Sequence, residues 1–561
     1  MTTPGTVTEA RQQRDTLRRG ARRLLLGLVA AAAATALTGC SLLLPFGGIG
    51  GAGGGAADGG SSSAPNAESG GLGQQRPDWE TCTDEGLVCA TVEAPLDWDD
   101  PEGETIDLAL IKREAEGTKL GTLFLNPGGP GLSGVDYYST SHPGATGIAV
   151  KEHYDVIAWD TRGSAGVFGG TTPVVCLDEA GMDAYVFGST EPASAARGSA
   201  EWIAQRSASA GEFAAACEEN TGELLAHVDT ESTVQDLEML REIVGDEQLN
   251  FLGEDYGTFV GARYADRYPE KVGRMVLSSG WDPSATGFDV ALGQATSLER
   301  ILRTYLEQCL GNPECPLSGT VDEAMQSVRA KLDQLDATPG TAGDGRAVTS
   351  ETFMNALLVT LTSRYAWMVP GYIFTGAVDG DYANVMEFAD VAAGRDAEGY
   401  TSNYEESFTA TVCLDLVAES DPAVVAEQAA EIDAAAPILG SYLAYSDLDC
   451  AEWPVAGPDE MDPVTAAGAN PILVLGGTDV PGTPYAWSEA LADQLESGVL
   501  VTLTTEGNRI YGASPCVNIA VDDYFMEGTV PESDPQCTEA KDEQLRADGY
   551  DGSSRWPLEL E

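Results

Sequence analysis

The chain has 561 residues, of which 43% are hydrophobic, so it is long enough for one large domain, or for one domain with a substantial insertion. Its formal charge of −59 at pH 7 gives a surface that repels phosphate backbones, and we therefore predict no binding to nucleic acid.

The N-terminal segment has the pattern of an export signal. Two arginine pairs between residues 18 and 23 precede an apolar run over residues 24–37, which ends at Thr38-Gly39-Cys40. This run is too short, and wrongly flanked, for a stable spanning helix. A cysteine at the processing point resembles a bacterial lipobox. We therefore predict removal of residues 1–39, lipidation of Cys40 and anchoring to the outer face of a bacterial cell membrane. An ordinary signal peptide with a chance cysteine is the alternative.

Residues 40–77 are predicted to form a flexible tether. This stretch is rich in Gly, Ser and Ala, and it cannot bury enough apolar surface to fold. A tether of this composition holds a globular domain away from the membrane to which it is attached.

The cysteines also favour export. Ten remain after Cys40, an even number, and we predict five disulfides formed in an oxidising compartment, with pairings left open. No C-x-x-C pair occurs, so we predict no zinc site. We also predict no other metal and no cofactor. The ten candidates are Cys82, Cys89, Cys176, Cys217, Cys309, Cys315, Cys413, Cys450, Cys516 and Cys537.

Short apolar strands alternate with helices along the chain, which is typical of a parallel α/β sheet with flanking helices. The helix at 232–245 carries apolar residues at helical spacing and polar capping residues at its start. The predicted strands are 121–129, which ends in a glycine-rich turn, 154–160, 249–253, 273–279, 470–477 and 498–505, and the predicted helices are 232–245 and 256–268.

A long, mostly helical stretch interrupts this alternation. Residues 284–465 are predicted to form a helical cap over the C-terminal edge of the strands, where open α/β sheets place their sites. The core then consists of residues 78–283 and 466–545, and residues 546–561 form a tail.

The segment NFLGEDYGTF, residues 250–259, has the strand–turn–helix context of a G-x-S-x-G nucleophile elbow. Asp255 stands at the position of the serine. Gly253 and Gly257 flank it as the motif requires, and no G-x-S-x-G occurs elsewhere in the chain.

Several segments together carry a family resemblance. They are the stretch CATVEAPLDWDDPEGETIDLAL, the loop NPGGPGLSG, the region around the elbow, and the C-terminal YGASPCVNIAVDDYFMEGTVPESDPQC. The chain resembles exported α/β-hydrolases of the tripeptidyl aminopeptidase-like group, which are related to proline iminopeptidases. The resemblance covers roughly residues 82–537. It implies an α/β-hydrolase fold and an oxyanion hole formed by the backbone N–H groups of Gly129 and Tyr256.

The resemblance also implies where a catalytic triad would lie, and each position is changed. The serine position is Asp255, the acid position is Val480, with Asp479 one place early, and the histidine position is Asn508. The fold requires Ser, acid and His in that chain order. The only histidines are His142, His153 and His227, so none can follow the elbow.

These changes predict a protein that has lost its hydrolase activity and whose pocket binds a peptide or another small ligand. The Asp255 carboxylate is predicted to fill the oxyanion hole. One alternative is a hydrolase that uses Asp255 as a nucleophile or a site not recognised in the sequence. Another is a structural or partner-binding envelope protein. Asp415 could hold a peptide amino terminus in a peptidase, or be a solvated or disulfide-adjacent aspartate. The oligomeric state is left open.

Overall fold

The computed structural model describes residues 71–191, 194–361, 367, 369–506, 509–531 and 534–547. The predicted signal sequence, Cys40 and most of the tether lie outside the described residues, as does Asn508. Among the described residues, no helix is long and apolar enough to span a membrane.

A large sheet forms the centre of the molecule. Its described strands have the order β1-β2-β3-β5-β4-β6-β7-β12-β13-β14; β1, β2, β3 and β5 pair antiparallel in turn, and every pairing from β5 onward is parallel. The strands are β1 (Glu80–Thr81), β2 (Val88–Pro95), β3 (Thr105–Arg113), β4 (Gly121–Asn126), β5 (Tyr154–Trp159), β6 (Leu249–Glu254), β7 (Val272–Ser278), β12 (Ile472–Asp479), β13 (Gly498–Glu506) and β14 (Gln536–Cys537). Two small antiparallel pairs lie apart from this sheet: β8 (Gly340–Thr341) with β9 (Ala347–Val348), and β10 (Arg395–Asp396) with β11 (Gly399–Tyr400).

Helices flank the sheet and fill the stretch between β7 and β12. They are α1 (Gly134–Ala145), α2 (Ile148–His153), α3 (Glu179–Phe187), α4 (Ala200–Thr221), α5 (Thr230–Val244), α6 (Gly257–Arg267), α7 (Gly287–Leu310), α8 (Val321–Ala337), α9 (Ser350–Leu361), α10 (Pro370–Asp379), α11 (Ala383–Ala392), α12 (Tyr404–Asp415), α13 (Pro422–Ala435), α14 (Gly440–Leu443), α15 (Tyr485–Gln494), α16 (Pro515–Glu527) and α17 (Glu539–Ala547). Short 3₁₀ turns occur at Leu72–Gln74, Gly222–Ala226, Pro269–Lys271 and Ser446–Asp449.

The predicted fold class is confirmed: the protein has a mostly parallel sheet covered by helices. All six residues of β4 are buried, as expected for a central parallel strand with helices on both faces. Helix α5 begins where the Asp229 side chain accepts a hydrogen bond from the Ser232 N–H, and it ends at Gly245 with φ of 81°. The sequence predicted this helix from its apolar spacing over residues 232–245, with Thr230 or Ser232 as the cap. The structure begins the helix at Thr230 and has Asp229 as the cap instead.

The helices between β7 and β12 have a hydrophobic core of their own, which includes Leu302 and Phe353. Helices α3 and α4 precede β6 in sequence and were not among the predicted elements. Phe187, at the end of α3, is buried in the core of this helical layer, whereas Phe213 of α4 is buried in the core beside the sheet. These two helices therefore join the helical layer to the rest of the molecule.

All ten cysteines considered as disulfide candidates are paired. The bonds are Cys82–Cys89, Cys176–Cys217, Cys309–Cys315, Cys413–Cys450 and Cys516–Cys537. The predicted number of five is confirmed, and such a set is typical of proteins that fold in an oxidising compartment.

Candidate active site

The turn between β6 and α6 has the backbone of a nucleophile elbow. Asp255 has φ of 55°, in the left-handed region that residues other than glycine rarely adopt. Its N–H donates to the Ser278 carbonyl at the end of β7, at 3.0 Å, and the Thr258 N–H donates to its carbonyl at 2.9 Å. A conformation of this kind costs about 1–3 kcal/mol and persists only where its surroundings enforce it, as they do at functional sites.

Glycines allow the elbow to approach the loop after β4. A Cβ on Gly257 would lie 2.5 Å from the Asn126 carbonyl oxygen, and one on Gly128, whose φ is 90°, would lie 2.7 Å from the Tyr256 nitrogen. Any side chain at either position would therefore separate the loop from the elbow. This close approach brings the predicted oxyanion loop alongside Asp255.

The backbone N–H groups proposed for the oxyanion hole, those of Gly129 and Tyr256, donate to no acceptor within the described part of the chain. Asp255 was predicted to fill this hole with its own carboxylate. The structure does not have that arrangement, since no hydrogen bond joins the Asp255 side chain to either N–H group or to any other described residue. An elbow presents its apex side chain outward from the turn, and the two donors are left available to a ligand.

Asp255 lies beside a second acid, Glu254. The Tyr137 hydroxyl donates to Glu254 at 2.6 Å. Burial raises the pKa of Glu254, while the hydrogen bond from Tyr137 and the charge of Arg509 oppose the rise. Burial, followed by the nearby charge of Glu254, raises the pKa of Asp255 well above its ordinary value. The apex carboxyl therefore favours its neutral form, in which it can donate as well as accept a hydrogen bond.

We predict that Asp255→Asn stabilises the protein at pH 8. Asparagine resembles the neutral acid but cannot ionise in the unfolded chain. It therefore removes the free energy that the unfolded wild-type protein gains when Asp255 ionises, on the order of 1 kcal/mol or more. The raised pKa of Asp255 means that this penalty is absent at low pH and grows as the pH rises. The difference in melting temperature between the two proteins should therefore be smaller near pH 5 than at pH 8.

The exposed Asp99 provides the matched control for that comparison, because Asp99→Asn removes one charge without changing the site. An Asp255→Asn protein that is less stable than wild type at pH 8 would contradict the proposed neutral state.

Neither residue that the sequence places near the acid position supplies a carboxylate there. Val480 is buried, with 1% of its surface exposed, and its carbonyl accepts a hydrogen bond from the Ser297 hydroxyl at 2.8 Å. Asp479 pairs instead with Arg300 of α7 at 3.0 Å, and both side chains are partly exposed. An apolar side chain thus occupies the acid position, and the neighbouring aspartate is held by the helical layer.

The three histidines contact groups away from the elbow. His142 lies 3.1 Å from the Ser139 carbonyl of its own helix, His153 lies 2.8 Å from the Thr118 carbonyl, and His227 lies 4.0 Å from Asp97. No hydrogen bond or ion pair joins any of them to Asp255 among the described residues. The structure thus brings Asp255 close to the oxyanion loop but brings no imidazole to either.

Asp415 has an internal role that its sequence position did not reveal. The Tyr256 hydroxyl and both the N–H and hydroxyl of Thr230 donate to its carboxylate, each at 2.8 Å. Burial is the largest cause that raises its pKa to about 7. Asp415 is therefore a mostly buried aspartate, and it lies two residues from the disulfide-bonded Cys413, as one of the sequence alternatives held. It joins α12, which carries the Cys413–Cys450 disulfide, to the residue after the elbow apex.

A mostly apolar cavity of about 200 Å³ adjoins the oxyanion loop. Gly129 and Pro130 form one wall, and Trp281, Val290, Val412 and Leu416 form others. A ligand in this cavity could place an oxygen atom near the free N–H groups of the loop. Apolar walls with a few convergent polar groups are typical of small-molecule sites.

This sheet, elbow and oxyanion loop define a protein of the α/β-hydrolase fold. Residues 121–355 match the family described as "alpha/beta hydrolase fold", and residues 436–537 match the family described as "TAP-like protein".

Known relatives extend the similarity over most of the chain. Carboxylesterase B of Mycobacterium tuberculosis is 30% identical over 461 residues, which are 80% of this chain and 86% of the relative. Serine protease Hip1 of the same species is 29% identical over 470 residues, 81% of this chain and 87% of the relative. Tripeptidyl aminopeptidase of Streptomyces lividans is 28% identical over 480 residues, 82% of this chain and 86% of the relative. The chain belongs to the α/β-hydrolase family, with a TAP-like C-terminal region.

Proposed function

We propose that this protein is an exported α/β-hydrolase-fold protein of the serine aminopeptidase type that has lost hydrolysis and retains ligand binding. The observation that carries the proposal is the elbow itself, where an aspartate with a raised pKa stands at the apex and no histidine contacts it among the described residues. Vestigial triad positions at Asp255, Val480 and Asn508 are part of this proposal.

Acyl transfer in this fold needs a nucleophile and a base that accepts its proton. A carboxylate can attack a substrate and form an ester, but release of that ester requires an activated water. An Asp255 kept neutral by burial is a weak nucleophile, and within the described part of the chain no imidazole lies against it to activate water. Hydrolysis through Asp255 remains the enzymatic alternative, and it would require a base other than histidine.

The retained groups suit a ligand with a carbonyl oxygen. Two backbone N–H groups without acceptors among the described residues could donate to that oxygen, and the neutral Asp255 could donate a further hydrogen bond. The adjoining cavity offers Val290, Val412 and Leu416 to an apolar substituent. A peptide or a small ester-like or amide-like molecule combines these features.

The five disulfides favour a location outside the cytoplasm. We propose that lipidated Cys40 holds the protein at the outer face of the cell membrane, with residues 41–77 as its tether. A structural or partner-binding role at the envelope is the alternative to ligand binding.

A fluorophosphonate probe, which reacts with activated serines, tests the loss of the nucleophile. We expect no labelling of the purified protein under conditions that fully label an active serine hydrolase added to the same tube. Labelling of any serine in this chain would reveal an activated serine outside the elbow and would overturn the inactive assignment.

Melting temperatures measured with a panel of peptide amides and small esters test the binding role. A ligand at 100 times its Kd stabilises the folded state by about 2.7 kcal/mol. We expect a shift for at least one compound and loss of that shift in Val290→Phe, which fills the cavity. The exposed Val424 gives the control variant Val424→Phe. The absence of any shift would favour the structural role.

A further inference from the structure

A second cavity, of about 360 Å³, lies within the helical layer and includes no elbow residue among those that line it. Residues of α3 and α4 form one side, and residues of α9, α12 and the segment 442–449 form the other. The volume lies within the range of small-molecule sites. It shares Leu443, Ser446 and Asp449 with the apolar cavity beside the oxyanion loop.

Carboxylates outnumber cations in the walls of this cavity. Glu351, Glu405 and Asp449 face Arg197 and Arg206. Arg206 pairs with Asp449 at 2.7 Å. Arg197 is already held by a fourth carboxylate, that of Asp336, at 2.8 and 3.0 Å. Each guanidinium group therefore already has a carboxylate partner within the protein, and the walls of the cavity keep a net negative charge.

Glu405 is the carboxylate that forms no ion pair with a described residue, although the charge of Arg206 opposes the rise in its pKa. Its side chain accepts no hydrogen bond from any described residue, and protein surrounds its carboxyl while the cavity leaves part of the residue accessible. Glu351, by contrast, accepts a long hydrogen bond from Arg197 at 3.5 Å. Burial is the largest cause that raises the pKa of Glu405 to about 7, followed by the charge of Asp449. A buried carboxylate of this kind is costly unless a cation or a donor compensates it.

Aromatic rings line the same space and favour cations of an organic kind. Trp202 and Tyr445 meet edge to face at 4.8 Å, and Tyr185 lines the cavity beside them. The Arg197 guanidinium already lies over the rings of Trp202 and Tyr442, at 4.9 and 4.5 Å. Ring faces attract ammonium and guanidinium groups in this way.

We propose that this cavity binds an organic cation, an alkyl chain that ends in a primary ammonium or guanidinium group, through Glu405. The described residues contain no group of three acidic, histidine or cysteine side chains that could hold a metal ion, so the site does not suit a metal. The surplus of carboxylates disfavours anions. The proposal holds whether or not the elbow turns over a substrate, because Glu405, Arg197 and Arg206 line this cavity and not the one beside the oxyanion loop.

Calorimetric titration of the purified full-length protein tests the proposal with four probes. Cadaverine represents a free diamine, Nα-acetyl-lysine amide a lysine side chain, and trialanine amide a peptide amino terminus. Pentane-1,5-diol has the chain length of cadaverine without its charge. We expect at least one cation to bind and the diol not to bind, and the cation that binds best identifies the source. No binding by any of the three cations, or equal binding of diol and cadaverine, would overturn the proposal.

Glu405→Gln keeps the shape of the side chain and removes its charge. We expect it to weaken binding of the cation by at least about tenfold, while the exposed Glu427 of α13 provides Glu427→Gln as a control that leaves binding unchanged. Unchanged affinity in Glu405→Gln would also overturn the proposal.

The pH dependence of the wild-type protein gives a second test that requires no variant. The charged and titratable groups around Glu405 are Asp449, Arg206, Glu351 and Glu406, with Tyr185 in the same cavity. Cadaverine and the side chain of Nα-acetyl-lysine amide stay charged from pH 6 to 8, whereas a carboxyl with a pKa near 7 gains its charge over that range. We expect binding about tenfold weaker at pH 6 than at pH 8. Affinity that does not change with pH would contradict the role of Glu405.

Discussion

The triple variant Asp255→Ser, Val480→Asp, Asn508→His is expected to gain esterase activity that the wild-type protein lacks. The proposed triad positions are all replaced. The left-handed elbow is kept, and so are the N–H groups of Gly129 and Tyr256, which donate to no acceptor among the described residues. Loss of triad members costs about 10⁴–10⁶ in rate in serine hydrolases, and most of that cost is shared among the members. Restoring all three should therefore raise the rate of p-nitrophenyl ester hydrolysis by about 10² or more.

The single variant Asp255→Ser is the matched control, because it supplies the nucleophile without a base. Its rate should stay near that of wild type, since the three residues act as a unit. A triple variant that folds, with the melting profile of wild type, but remains inactive would show that the site has lost more than its triad. Activity in the single variant would reveal a base other than histidine near the elbow.

The free energy of unfolding is expected to fall as the pH rises from about 5 to 8, the reverse of the usual behaviour of acids held in ion pairs. Burial is the largest cause that raises the pKa values of Asp160, Asp415 and Glu405 to about 7. The unfolded chain releases these protons near their ordinary pKa values, while the folded protein retains them. Between the ordinary pKa values of these acids and about 7, the folded protein thus binds more protons than the unfolded chain. The stability that these groups give at low pH is lost progressively as the pH rises to about 7. A decrease in melting temperature on the order of 5 °C or more is expected.

Repulsion within the acidic surface acts in the same direction, and salt separates the two contributions. High salt screens exposed charges but affects buried groups much less, so most of the pH dependence should remain. Asp160→Asn should reduce the pH dependence of the melting temperature, because asparagine does not titrate. The variant should still fold, since asparagine can accept the hydrogen bonds that Ser133 and Val135 donate to Asp160 Oδ1. The exposed Asp99 again supplies the control. A melting temperature that rises from pH 5 to 8 would contradict the proposed neutral state of these acids.

Local patterns in the sequence were sufficient to predict the strands and helices around the elbow. Apolar runs ended by glycine marked β4 and β6, and apolar residues at helical spacing marked α5, although its cap is Asp229 and not Thr230 or Ser232. The spacing of Gly253 and Gly257 identified the elbow, because that turn tolerates no side chain at either position. The count of ten cysteines after Cys40 was sufficient to predict that five disulfides form.

Long-range contacts were not predictable from the sequence. Tyr256 and Asp415 are hydrogen-bonded although 159 positions separate them, and neither residue type in its local context indicates such a partner. Helix α3 packs against the helical layer through Phe187. The sequence of α3 alone does not show which part of the molecule Phe187 contacts. The cavity around Glu405 likewise depends on how separate helices pack. The prediction that the Asp255 carboxylate fills the oxyanion hole was wrong, since neither N–H group donates to it. The sequence does not show in which direction the side chain of Asp255 points.

Turnover of peptide anilides and simple esters by the purified protein, measured beside Asp255→Ala, is the decisive measurement for the proposed loss of hydrolysis. We predict no turnover by either protein above the background of the buffer, since the elbow holds an aspartate and the histidines contact other groups. Turnover that is lost in Asp255→Ala would show that the aspartate is a working nucleophile, and it would contradict the proposal that this protein has lost hydrolysis.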